Sequence, residues 1–61
     1  MKCSELLRIL KKDGWFQVSQ KGSHIKLIHP LKSNVIIFPN HGSRELGKGT
    51  EIRILKDAGL L

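Results

Sequence analysis

The hydrophobic period of this chain changes at Gly14, and that change limits the folds open to it. Before it, Cys3, Leu6, Leu7 and Leu10 recur at i, i+3, i+4 and i+7, one stripe of an amphipathic helix. Ser4 stands where an N-cap belongs, and Lys11 and Lys12 suit the negative end of the helix dipole. Gly14 stops the run, so the pattern predicts a helix over about residues 4–12. After it the period is two. Phe16 and Val18 share one face and Gln17 and Ser19 the other, which predicts a strand from Trp15 to Gln20. Lys21-Gly22 reads as a tight turn, and a second strand follows from Ser23 to His29, with Ile25 and Leu27 alternating against His24 and Lys26.

Pro30 ends that strand, and a third, Val35-Ile36-Ile37-Phe38, is apolar at every position. Such a strand needs cover on both faces, within the molecule or in a complex. The stretch "PNHGSRELGKG", residues 39–49, holds three glycines and a proline and reads as a loop. Thr50 is the predicted cap of a last helix built on Ile52, Ile54, Leu55 and Ala58 and ended by Gly59. The order α-β-β-β-α predicts an α+β fold, a three-stranded antiparallel sheet with both helices on one face. Residues 1–61 read as one domain without repeats.

At 61 residues the core is thin, because a chain of this size buries only about 60% of its unfolded surface. No pocket that engulfs a cofactor fits inside it, so any chemistry sits on the surface and uses no cofactor. Eleven Lys and Arg against five Asp and Glu give a formal charge of +6, which draws polyanions, nucleic acid first among them. The single cysteine, Cys3, excludes an internal disulfide and occupies an apolar helix position, where it reads as a small buried hydrophobe. Ser4, Glu5 and Arg8 interrupt the N-terminal apolar run, so neither a signal peptide nor a membrane span is expected, and the chain reads as cytoplasmic.

Two apparent motifs fail. Gly42 to Lys48 matches the G-x-x-x-x-G-K of a nucleotide-binding loop, but Gly49 stands where a Ser or Thr must hold magnesium. An antiparallel sheet is also the wrong frame for that loop. What survives is an anion site: Lys48 and the amides of Gly49 and Thr50 lie at a helix start. His24, His29 and His41 do not make a metal site either. His24 and His29 are five apart on one strand, so they project from opposite faces about 16 Å apart.

His24 stands in "QKGSHIKL", just after a glycine turn and between Lys21 and Lys26. Imidazole exchanges protons near neutral pH, and Lys26, two residues on, shares its face. A phosphodiester on that face would meet a lysine at its anionic oxygens and an imidazole at its 2′-hydroxyl, the parts for RNA self-cleavage. On the residues alone, a polar residue on a solvated strand face is the favoured reading. Gly22 serves the turn or a close phosphate approach, and Ser23 either bonds phosphate or caps the hairpin.

Across essentially all 61 residues the chain resembles the HicA-type (YcfA-like) toxins, small mRNA interferases of bacterial toxin–antitoxin pairs. The residues that bear the resemblance are "LLRILKKDGW", "QKGSHIKL", "VIIFPNHGSRELGKGT" and "IRILKDAGL", with Gly22-Ser23-His24 the most specific. The resemblance implies a double-stranded-RNA-binding-domain-like fold and metal-independent cleavage of mRNA that inhibits translation. It implies catalysis by His24, as base or as acid and base in turn, and a HicB-type antitoxin that covers the active site. By analogy with double-stranded-RNA binders, Arg44 and Lys48 join Lys21, Gly22, Ser23 and Lys26 as phosphate contacts. It leaves open which group protonates the leaving 5′-oxygen: Lys26, His41 or water. Glu51 stands where an apolar residue is expected, which would move the helix edge outward.

Phe16 and Phe38 read as core and Trp15 as half-exposed, so backbone contacts are expected over base stacking. The two-faced apolarity of Val35 to Phe38, with Ile28 on the His24 face, predicts a covering partner, the antitoxin or a second copy. The rival reading is a non-catalytic RNA-binding module, which shares the charge and fold but does not need His24.

Overall fold

The computed structural model describes residues 1–61 and shows α1 (Cys3–Asp13), β1 (Phe16–Lys21), β2 (His24–His29), β3 (Lys32–Pro39) and α2 (Lys48–Asp57). The sheet is antiparallel in the order β1-β2-β3, so β2 is central. This is the α+β architecture that the change of period predicts.

The core lies between the helices and the inner faces of β2 and β3. Cys3, Leu6 and Leu10 of α1 and Ile54 and Ala58 of α2 close over Ile25, Leu27, Ile36 and Phe38, with Trp15 and Leu46 filling the ends. Burying a side chain such as Leu, Ile or Phe stabilises by about 1.5–3 kcal/mol, and this one cluster holds every buried residue. β1 contributes none of them. Even Gln17 and Gln20, which share the inner face of Leu27 and Ile25, are exposed, so β1 stands beyond the helices' cover.

Trp15 and Phe16 reverse their predicted roles. Trp15 is 1% exposed and Phe16 45%. The cause lies at the end of α1, where the N–H of Trp15 reaches back to the carbonyl of Leu10 and that of Gly14 to Lys11, with Gly14 at φ 110°. That Schellman closure lays the residue after the glycine on the last helical turn, so Trp15 packs on Leu10. Phe16, next along the strand, must point to the other side, where it pairs with Ile28.

Both helix starts also differ from expectation. α1 begins at Cys3 behind Lys2, and Ser4 is inside the first turn. The loop supplies the missing acceptors: Cys3 N–H donates to the Arg44 carbonyl and Ser4 N–H to that of Gly42, both at 2.9 Å. Glu5 takes the N–H of Lys2 at 3.1 Å. α2 starts at Lys48 behind Gly47, so Thr50 is a first-turn residue rather than the cap. Glu51 does not push the helix edge outward. Its carboxylate turns in to the Met1 ammonium at 2.5 Å, with Glu45 on the same ammonium at 2.8 Å. These two carboxylates raise the amino group to about 10, Glu45 contributing most. No helix is long and apolar enough to cross a membrane.

Candidate functional site

The helix-free face of the sheet is where the sequence-selected residues gather. β1 and β2 join through a two-residue turn, Gly22-Ser23, with Lys21 directly opposite His24. Gly22 occupies the first turn position at φ 59°, which type II′ hairpins require and side-chain-bearing residues rarely adopt. The turn thus lies one residue later than "Lys21-Gly22", and it sets His24 as the first residue of β2.

Register then assigns the face. His24 lies opposite Pro39, Lys26 opposite Ile37, and Ile25 and Leu27 opposite Phe38 and Ile36. Residues opposite one another project to the same side, so His24, Lys26, Ile37 and Pro39 point away from the helices. Lys21 joins them from β1. An open depression of about 260 Å³ lies there, lined by Ser19, Lys21, His24, Lys26 and Ile37 with the edge of Ile25. Both lysines and the imidazole are exposed and make no hydrogen bond or ion pair within the chain.

Ser19 was not foreseen at this site. Simple alternation puts it opposite Phe16, but a bulge between Gln17 and Ser19 takes up Val18 and returns Ser19 to the side of Lys26. Nothing in "FQVSQK" announces a bulge. A second missed signal is plain in the sequence: no Asp or Glu occurs between Asp13 and Glu45, a span containing the whole sheet. The carboxylates sit instead on the helices and loop, with Asp13 on Lys32 and Glu45 and Glu51 on Met1. The open face is therefore cationic without internal neutralisation, the condition for holding a phosphate.

The remaining candidates separate into other places. Arg44 and Lys48 are exposed but outside the depression, in the loop that braces α1 and at the first residue of α2. His29 is on the helix side. Its ring meets buried Trp15 edge-on at 5.3 Å, its Nε2 pairs with the Asp13 carbonyl at 2.6 Å, and its Nδ1 accepts the Leu31 N–H at 3.0 Å. With Nδ1 accepting, Nε2 is the protonated nitrogen, and both are in use. His24 and His29 thus occupy opposite faces, as the strand spacing requires. No three His, Cys, Asp or Glu side chains converge anywhere.

Val35 and Ile37 are 44% and 54% exposed on the open face, and Phe16 and Val18 leave further apolar surface on β1. The cover that the two-faced strand calls for is not supplied by this chain.

Two comparisons with known proteins bear on the family of the chain. Residues 3–60 match the family model described as the HicA toxin of bacterial toxin–antitoxin systems. The chain is also similar to a protein of Pseudomonas fluorescens (strain Pf0-1) named probable mRNA interferase HicA. The two are 42% identical over 60 residues, which cover 98% of this chain and 97% of that one.

Proposed function

This chain belongs to the HicA toxin family of bacterial toxin–antitoxin systems, and from that premise we propose that it is a cytoplasmic endoribonuclease whose cleavage of mRNA inhibits translation. The observation that supports this reading is His24: an exposed, uncommitted imidazole on a sheet face that holds two free lysines and no carboxylate. His24 takes the proton of a ribose 2′-hydroxyl, and the 2′-oxygen attacks the adjacent phosphorus. Lys21 and Lys26 hold the non-bridging oxygens as charge builds on them. Ser23 and the backbone at Gly22 seat the phosphate at the hairpin, and Arg44 and Lys48 guide the strand beyond it. The reaction uses no metal, and a HicB-type antitoxin silences it by covering this face, including Val35 and Ile37.

The test is purified protein with RNA in EDTA. The wild type should yield fragments ending in a 2′,3′-cyclic phosphate, and His24→Ala should bind RNA but neither cut it nor arrest growth. RNA shifted but intact under the wild-type protein would instead establish the non-catalytic binding module.

A further inference from the structure

We propose that His41 is the general acid of the cleavage, protonating the leaving 5′-oxygen while His24 acts as base; this rests on the ribonuclease reading above. The β2–β3 ladder ends with His24 opposite Pro39. One residue further, Asn40 N–H still donates to the Ser23 carbonyl at 2.7 Å, so β3 continues in register past its last assigned residue. In an antiparallel pair, the residue two beyond a direct partner lies on the same face, diagonally across at about 7–8 Å. Two beyond Pro39 is His41. Carried one residue further, that register puts His41 diagonal to His24 and beyond the residues that line the depression, at the hairpin end where nothing lies within 4 Å of the Gly22 Cβ position.

The position is also fixed. The His41 carbonyl accepts the Arg44 N–H at 3.3 Å, and Gly42 between them takes φ 65°. The Gly42 carbonyl is in turn held by Ser4 N–H at 2.9 Å, so the first turn of α1 braces the segment. His41 is exposed, and its ring has no partner within the chain. The charged groups around the pair are Lys21 of β1, Lys26 of β2 and Arg44 of the loop. The carboxylates of the loop and of the first turn of α1, Glu45 and Glu5, are engaged with the Met1 ammonium and the Lys2 backbone N–H. The face of β3 bears Val35, Ile37 and Pro39 and no charge.

Two imidazoles in a diagonal relation can bracket a phosphodiester, one toward the 2′-oxygen and one toward the 5′-oxygen. Lys26 is also on the face, but its ammonium is already committed to the non-bridging oxygens, where a fixed positive charge is needed throughout the step. The step balances. His24 accepts the 2′-hydroxyl proton as the bond from 2′-oxygen to phosphorus forms. The bond from phosphorus to 5′-oxygen breaks, and protonated His41 gives its proton to that oxygen. The products are a 2′,3′-cyclic phosphate and a 5′-hydroxyl, and exchange with water resets both rings.

A short RNA that the wild type cuts at one mapped bond, made with either oxygen or sulfur at the 5′ bridging position, separates the roles. A thiolate leaves without a proton, so an acid is needed only for the oxygen substrate. His41→Ala and His41→Gln should slow the oxygen substrate by about 10²–10⁴-fold. They should also lose the alkaline limb of its pH–rate profile and cut the sulfur substrate within a few-fold of wild type. His24→Ala should fail on both. Equal slowing of both substrates by the His41 variants, with the two-limbed profile intact, would overturn the assignment. Activity in His24→Ala would instead overturn His24 as the base, and RNA left intact by the wild type would overturn the ribonuclease reading beneath both.

Discussion

β2 carries a histidine at each end, and the two lead opposite lives. His29 spends both ring nitrogens on backbone groups and packs edge-on against Trp15, so it is a strut between β2 and the end of α1. His24 spends neither nitrogen and faces a cationic hollow. Residue type and strand are the same. What differs is which side of the sheet the helices cover, and that is enough to make one imidazole structural and leave the other available for chemistry.

The comparison breaks most visibly by exchanging the losses. His24→Ala should lower RNA cleavage by at least about 10²-fold, the usual contribution of general acid–base catalysis, with the urea midpoint unchanged within error. His29→Ala should do the reverse. It strands the part-buried Asp13 carbonyl and leaves a cavity beside Trp15, at a cost of about 2–4 kcal/mol. Residual cleavage, measured under folding conditions, should persist. Gly14→Ala attacks the same strut from the helix side, because a Cβ there would sit 2.8 Å from His29 Nε2 at a backbone φ of 110°. The two penalties together are about 2–5 kcal/mol. If His29→Ala abolished cleavage at full stability, the division of labour between the two ends of β2 would be wrong.

How much of this was legible depended on what sets each residue's direction. The element order, the ends at Gly14 and Gly59, and the separation of His24 from His29 follow from period and glycine placement, which are local. The faces of β1 were misread for two local-looking reasons that tertiary structure decides. The Schellman closure at Gly14 turned Trp15 inward and Phe16 outward, and the bulge at Val18 brought Ser19 to the side of Lys26. The start of α1 differs from the sequence pattern because carbonyls of Gly42 and Arg44, some forty residues away, cap it in place of a Ser side chain. The lack of carboxylates between Asp13 and Glu45 is legible in the sequence and by itself makes the sheet cationic.

Ile36 and Ile37 repeat the contrast within one dipeptide. Ile36 is 2% exposed against the helices and Ile37 54% exposed beside the hollow. Ile36→Ala should cost about 2–4 kcal/mol in denaturant unfolding. Ile37→Ala should fall within about 0.5 kcal/mol of wild type, as surface substitutions do. Its effect should emerge only against the antitoxin, as faster dissociation of the complex. A destabilisation equal to that of Ile36→Ala would mean that the open face is covered by a second copy in solution.

The smallest effect concerns the ion pair that closes the helix side. Lys32 Nζ donates to the Asp13 carboxylate at 2.8 Å and to the Ala58 carbonyl at 2.5 Å, tying the ends of α1 and α2 to the start of β3. The Lys32 ammonium holds the Asp13 carboxyl below its ordinary value, helped by the Trp15 indole N–H and opposed by desolvation. A carboxyl lowered in the folded state contributes stability that is present above its unfolded value, about 3.9, and lost as pH falls through the lower folded one. Nothing equivalent acts on the open face, whose lysines have no carboxylate to lose. Asp13→Asn should therefore be less stable than wild type at neutral pH, and the gap should close as the solution is acidified below about pH 4. Lys32→Met should shrink the same gap at neutral pH. Asp13→Asn and wild-type curves that run parallel through that acid range would show that the ion pair, short as it is, contributes nothing to holding the helices on the sheet.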